Sequence, residues 1–338
     1  METRLLQSDE FMHPIEEAPN FNESMYFNVF DPRRRCGGFF RLGNRPNEGH
    51  AELTTCIFTP DGSVAFMFCR PSIASNDTFA AGGMKFEVIE PFKTLDLSYT
   101  GRVLVLKNPL EMVDPRQAFS ANPFADCEVR LRYVGVSPMY GGEPVAGPDL
   151  VGGGQDTDNA FARGHYEQHV AANGLIRVGQ SSWEVQGWGL RDHSWGPRYW
   201  QAPWYYRWLT ANFGEDRGFM ISVVTARNGT ERVGGMVLRD GGYDLVDAVT
   251  LSSRWAGEER YHQSLAVEVR TRSGRNYLVE GRVMSLIPLR NRRQDDSGEQ
   301  LVTRISEGMT EWSWDGRRGY GMSEYLDQIV DGRPVGAG

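Results

Sequence analysis

The sequence has few cysteines, little excess charge of either sign and no long apolar run, and each shortage removes a class of protein. Its four cysteines, Cys36, Cys56, Cys69 and Cys127, form no C-x-x-C pair and match no zinc-finger spacing, which argues against structural zinc. Cys56 and Cys69 flank an Asp61-Gly62 turn. A two-residue loop there pairs Cys56 with Met67 and Thr54 with Cys69, so the thiols stand diagonal and a disulfide is disfavoured. Lys+Arg 36 against Asp+Glu 44 gives a net charge of -8, with no dense basic run, so nucleic-acid binding is not expected. No stretch approaches the roughly 18 apolar residues of a membrane span. Met1 to Asn20, with acids at Glu2, Asp9, Glu10, Glu16 and Glu17, lacks the apolar region of a signal peptide. A soluble, cytoplasmic protein is the expectation. Gly-x-Ser-x-Gly, a P-loop and His-Glu-x-x-His are all absent, which removes support for esterase, nucleoside-triphosphatase and zinc-protease readings.

What is present points to β-structure. The 338 residues are 40% hydrophobic and 24% charged, a globular composition with length for two domain-sized cores. The 39 glycines exceed average usage while the 17 prolines do not, which implies many turns. Strand-like runs recur at Ala51 to Phe58, Ser63 to Cys69, Gly101 to Leu106, Cys127 to Val136, Leu175 to Val178, Ser182 to Trp188 and Gly218 to Thr225. The helical candidates, Asp114 to Phe119 and Asp156 to Tyr166, are too short to serve as crossovers of a parallel sheet. The expected fold is therefore all-β, with two tandem antiparallel β-domains over residues 1–188 and 189–338.

Ser137 to Asp158, with the Gly152 to Gly154 run, reads as a long loop or lid. After it, Gln168 to Ala172, an Asn173-Gly174 turn, Leu175 to Val178, a second turn and Trp183 to Trp188 read as a meander. The opening Tyr26 to Phe30, polar turn, Phe39-Phe40 is echoed by Tyr205 to Leu209, polar turn, Phe219-Met220. Any hairpin can show that pattern. A true internal repeat would mean two related domains joined near Trp188 to Pro203.

One local constellation is unusual. Between Gly189 and Trp200 the chain gathers Arg191, Asp192, His193, Trp195, Arg198 and Trp200. In an extended segment Arg191, His193 and Trp195 share one face, while Asp192 and Ser194 take the other. A functional reading makes His193 a proton shuttle or water-positioning base and Trp195 a π-face for a developing cation. A structural reading makes Asp192 a cap and His193 and Trp195 satisfied core residues.

Asp192 to Gly196, Asp-His-Ser-Trp-Gly, resembles the Asp-His-x-Trp-Gly signature of the carotenoid 1,2-hydratase (hydroxyneurosporene synthase) superfamily. That group includes AttH-like proteins, a prenyl-side-chain hydratase of isoflavonoids and lipocalin-like Diels-Alderases. Gly319 to Tyr325 is similar to the last-strand motif of the same proteins. The resemblance implies two lipocalin-like β-barrels in tandem, and it places the superfamily's functional His and Trp on His193 and Trp195. The hydratases also use a Tyr and an Asp two apart on a following strand. The counterpart here, Gly218 to Val224, has neither, which leaves Glu324, Glu167 and Glu52 as candidate acids.

The expected catalytic set is accordingly His193, Asp192 and Glu324, with Asp192 acting through orientation of the motif. Trp195, Trp200 and Tyr206 are expected to wall a ligand site, with Arg198, His165, Glu167 and Glu52 also facing the ligand. His165, Glu167 and His169 alternate along one strand face, but three such positions span roughly 13 Å and cannot all meet one ion. His165 or Glu167 is expected at the pocket and His169 in solvent. No metal or other cofactor is expected. The function implied is acid/base chemistry on a hydrophobic isoprenoid-like or polycyclic molecule: hydration, dehydration, isomerisation or cyclisation. A non-catalytic carrier of lipophilic small molecules is the rival, and a shape catalyst of pericyclic reactions is a third option.

Overall fold

The computed structural model describes residues 3–145, 162–294 and 298–337. Two compact units divide the chain, one of residues 1–108 and 118–199, the other of residues 109–117 and 200–338. The expected 188/189 boundary thus falls inside a strand that runs from Ser181 to Pro197, and the whole Arg191 to Arg198 motif stays with the first unit.

The first unit is a closed antiparallel barrel. Its strands in chain order are β1 (Phe21–Asp31), β2 (Cys36–Arg45), β3 (His50–Phe58), β4 (Val64–Cys69), β5 (Thr94–Leu106), β6 (Phe124–Gly135), β7 (Gly164–Val178) and β8 (Ser181–Pro197). Each pairs with the next, and β8 returns to pair with β1, leaving no free edge in the cycle. Period-two sequence drives this. In β6 the inward Cys127, Val129, Leu131 and Tyr133 are buried and alternate with Glu128, Arg130 and Arg132. Burying each such aliphatic side chain contributes about 1.5–3 kcal/mol. Phe27, Val29, Phe40, Leu42, Leu53 and Ile176 complete the same apolar interior.

The second unit repeats the plan. Strands β9 (Tyr205–Asn212), β10 (Arg217–Thr225), β11 (Glu231–Arg239), β12 (Gly242–Ala256), β13 (Tyr261–Thr271), β14 (Asn276–Gln294), β15 (Gln300–Trp314) and β16 (Arg317–Val330) pair in sequence, and β16 closes onto β9. The Gly319 to Tyr325 motif lies in that closing strand. The repeat is one of topology and does not extend to the residue alignment read from the sequence. Phe27, the inward neighbour of Tyr26, belongs to the first core, whereas in β9 it is Leu209 that faces the second core, so Tyr26 and Tyr205 point to opposite sides of their barrels.

Four local expectations change. The hairpin after β3 pairs Phe58 with Val64 and Cys56 with Phe66, one residue out of the expected register, because the loop runs from Thr59 to Ser63. Pro60 cannot donate to a ladder, and Gly62 takes φ +87. Cys56 and Cys69 are still not opposite, and all four thiols are free. Asn173-Gly174 is no turn: β7 runs straight through it, paired with β6 on one side and β8 on the other. Gly174 is required there, since a Cβ would lie 1.9 Å from the Arg130 carbonyl oxygen. Tyr140–Pro144, expected in the loop, is a short strand on β7. Gly164 to Tyr166, expected as the end of a helix, is strand. Residues 146–161, with the Gly152 to Gly154 run and the start of that helix, lie outside the described residues. The other short helix forms at Pro115–Ala121, where Asp114 accepts from the Gln117 amide at 3.2 Å. Among the described residues no helix is long and apolar enough to cross a membrane.

Candidate functional site

Alternation in β8 does place Arg191, His193 and Trp195 on the inward face, all buried. Their register partners decide what surrounds them. Tyr166 of β7 lies opposite His193, Gln168 opposite Arg191, and Glu23 of β1 opposite Trp195. One end of the first barrel's interior is therefore polar, while the rows beyond it, from Val170 and Val29 onward, are apolar. The segment before β1 adds Glu10 and His13 to this polar end.

These side chains form one continuous network. Arg191 donates to both Glu10 oxygens, at 2.7 and 2.9 Å, and its Nε donates to Gln168 Oε1 at 2.9 Å. The Tyr166 hydroxyl donates to Glu10 Oε1 at 2.9 Å and lies 3.1 Å from His193 Nδ1. His193 Nε2 lies 2.9 Å from Glu23 Oε1, and His13 Nδ1 lies 2.6 Å from the same oxygen. The other oxygen, Oε2, accepts from Asn76 Nδ2 at 2.7 Å and from the His13 amide at 2.8 Å. Glu23 thus has a partner at every lone-pair direction a carboxylate offers.

One assignment of protons satisfies the whole chain of contacts. With the Tyr166 hydroxyl donating to Glu10, the contact is satisfied when His193 donates through Nδ1 to the Tyr166 oxygen. Its Nε2 and Glu23 Oε1 then hold one further proton between them. Burial alone would raise the Glu23 carboxyl, but the hydrogen bonds and charges of His13 and His193 outweigh it and hold the group at about 2. Burial would lower His13, yet the Glu23 bond, the Glu23 charge and then Asp9 raise it. Tyr166 is pushed well above its ordinary value, chiefly by burial.

Trp195 has little open surface. His13 stacks on its ring at 4.0 Å and 13°, and its Nε1 donates to Glu143 Oε1 at 3.1 Å. Gly164, its register partner, is so close that a Cβ would lie 2.2 Å from the ring. Only glycine fits beside this indole. Phe79 meets His193 edge-on at 5.2 Å.

The remaining expected site residues are dispersed. Asp192 lies on the outward face of β8, 4.0 Å from His165 Nε2, and His165 is 3.8 Å from Glu167. His165, Glu167 and His169 share that outward face, so they do not converge with His193. His169 is 0% exposed and not in solvent, while the His165 side chain is 44% exposed. Glu52 is ion-paired with Arg41 and Arg70, each at 3.3 Å. Burial works against its charge, but Arg41, Arg45 and Arg70 hold the carboxyl below its ordinary value. Arg198 donates to Ser194 Oγ at 3.0 Å. Trp200, Tyr206 and Glu324 belong to the second unit. There Tyr206 donates to Glu324 on the face of β9 and β16 turned away from the core side chains Leu209 and Tyr325. Sequence reasoning missed Glu10, His13, Glu23 and Tyr166 as members of the site.

Within the described residues, His13, Glu23 and His193 also form a group with ligand atoms close enough to hold a cation.

Solved structures of the same fold cover nearly the whole chain. The structure of CghA with Sch210972 superposes with a TM-score of 0.55 at 11% identity over 94% of each chain. Kievitone hydratase from Nectria haematococca gives 0.53 at 8% identity, and an AttH-like protein from Nitrosomonas europaea 0.52 at 12%, each over 96% of both chains. All three share the double lipocalin-like architecture that the Asp192 to Gly196 motif suggested. No curated protein sequence matches this one. Residues 6–329 match the family described as "Domain of unknown function (DUF7064)", and with nearly its whole length inside that match the chain belongs to this family.

Proposed function

We propose that the protein is an enzyme that acts by acid/base chemistry on a hydrophobic, isoprenoid-like or polycyclic small molecule, by hydration, dehydration, isomerisation or cyclisation, without a resident cofactor. The observation that carries this reading is the fully buried His193 and Glu23 pair with one proton between them, fixed at both ends by Tyr166 and His13. Such a pair protonates an alkene or carbonyl as acid. As base it then takes a proton from the water that quenches the cation, or from a neighbouring carbon. Burial in a water-poor interior strengthens each of these interactions. Because Glu23 is held at about 2, it serves as the fixed anion beside the His193 ring.

The supporting carboxyl in this reading is Glu23, since Glu324 is engaged with Tyr206 and Glu52 with two arginines. Trp195 then contributes by holding His13 and the site's shape, because little of its ring is open. One of the structural neighbours is a hydratase by name, which agrees with the reaction class. Four free thiols agree with a cytoplasmic address.

The test is an exposure of the purified protein in D2O to a panel of prenylated and polycyclic alkenes, alcohols and ketones, followed by mass spectrometry. Incorporation of deuterium or water that disappears in His193→Gln supports the enzyme. Retention of a ligand without any mass change would place the carrier reading in front.

A further inference from the structure

We propose that His13, Glu23 and His193 form a binding site for one borderline divalent cation of the Zn2+ or Co2+ type, which takes the place of the protons on the two imidazole nitrogens. Metal binding rests on the geometry of these three residues alone and competes with the acid/base reading, because the ion displaces the proton that His193 and Glu23 share.

His13 Nδ1, His193 Nε2 and a Glu23 oxygen all lie within 4.8 Å of one another. Both nitrogens aim at the same atom, Glu23 Oε1, at 2.6 and 2.9 Å. Tetrahedral zinc, with bonds of about 2.0–2.1 Å, needs neighbouring ligand atoms about 3.4 Å apart. The two hydrogen bonds therefore have to open by less than an ångström. The set comes from two elements and the segment before them: β1 gives Glu23, β8 gives His193, and His13 precedes β1.

His193 and Glu23 have outer contacts of the kind a metal site needs. An imidazole ligand is oriented by the bond its second nitrogen makes. His193 Nδ1 is held by the Tyr166 hydroxyl at 3.1 Å, which turns Nε2 to the shared oxygen. His13 Nε2 makes no hydrogen bond among the described residues, and Asp9 Oδ1 lies 3.6 Å away. Glu23 Oε2 is tied to Asn76 and to the His13 amide, which frees Oε1 for the ion. Two imidazoles and one carboxylate favour zinc, cobalt, nickel or copper over the oxygen-seeking Mg2+ and Ca2+. The three ligands leave a fourth position for water. On binding, the His13 Nδ1 proton and the proton between His193 and Glu23 leave to solvent, and two M–N bonds and one M–O bond form as the aqua ion releases the water molecules they replace. No oxidation state changes. The His13 side chain, 18% exposed, gives the entry edge, while Glu23 is 0% exposed.

Co2+ titration of the full-length, chelator-treated protein tests this, read by visible ligand-field absorption. One equivalent is expected to give a tetrahedral-type band that Zn2+ bleaches and Mg2+ does not. His13→Ala should lower affinity by about 100-fold or more, and Tyr166→Phe, which removes only an outer contact, by about 10–100-fold. His50→Ala, at a site away from the cluster, should bind like the parent. His13 sits at the exposed edge, so its variant decides the matter even where His193→Gln fails to fold. No band at one equivalent, or full affinity in His13→Ala, overturns the proposal.

Discussion

Tyr166 and His193 stand directly opposite each other on neighbouring strands, and the hydroxyl oxygen of one is 3.1 Å from Nδ1 of the other. That single contact joins two charged groups, the Glu10 and Arg191 pair on one side and the Glu23 and His13 pair on the other. Tyr166→Phe should keep the barrel intact, since only the hydroxyl is lost. It leaves His193 Nδ1 and one Glu10 lone pair without this partner, at a cost of about 1–3 kcal/mol. Urea unfolding of the two proteins side by side measures it.

Arg191 and Glu10 are both 0% exposed in their side chains. Removing one partner strands the other charge inside the barrel, so Glu10→Gln should cost about 3–5 kcal/mol. The double variant Glu10→Met, Arg191→Met should recover most of that loss, because the desolvation of both charges disappears with them. A double-mutant cycle by chemical denaturation gives the two numbers. A double variant as unstable as the single one would show that the pair does more than cancel charge.

Glu23 and His13 are shifted in opposite directions, so their contributions to stability change with pH in opposite senses. Glu23 is depressed from 4.5 to about 2, so its contribution is complete above the unfolded value and is lost as pH falls through about 2. That contribution is about 3 kcal/mol at neutral pH. His13 is raised above 6.5, so what it adds is present below that value and is lost as pH rises through the higher folded one. The melting temperature of the parent minus that of His13→Gln should therefore shrink as pH rises above 6.5. A Glu23→Gln variant should lose the acid-side dependence instead.

On any substrate found in the D2O screen, His193→Gln should reduce turnover by about 10²–10⁴ while the fold persists. Asp192→Asn should mainly lower stability by about 1 kcal/mol, because Asp192 faces away from the network and toward His165. Single-turnover rates with melting temperatures for both variants check the split. Equal loss of turnover in the two would mean that the two faces of β8 are not functionally distinct.

The shared face of Arg191, His193 and Trp195 was legible because strand alternation is a local rule, and β8 obeys it. Glu23 carried a readable signal that went unused: it sits at the inward parity of Met25, Phe27 and Val29, where an acid needs a buried partner. Glu10 and His13 carried none, since they precede the first long strand and reach the site only by docking. Asn173-Gly174 misled because the dipeptide that favours a hairpin turn also serves where two backbones crowd a strand, and pairing on both sides of β7 outweighed the local preference. Pro60 shifted the hairpin register for a comparable reason, since a residue without an amide proton belongs in the loop.

Closure of β8 onto β1 sets an order of events for a chain that emerges from the ribosome from its N-terminus. Glu10 and Arg191 are 181 residues apart in sequence, and β1 waits for β8 before its open side is covered. Until β8 is available, β1 lacks that partner, and Glu23 on β1 with Glu10 shortly before it are charged groups of the kind that discourage edge-to-edge pairing. Such distant pairing also makes the last step of barrel formation slow, since loop closure must precede the contacts that reward it.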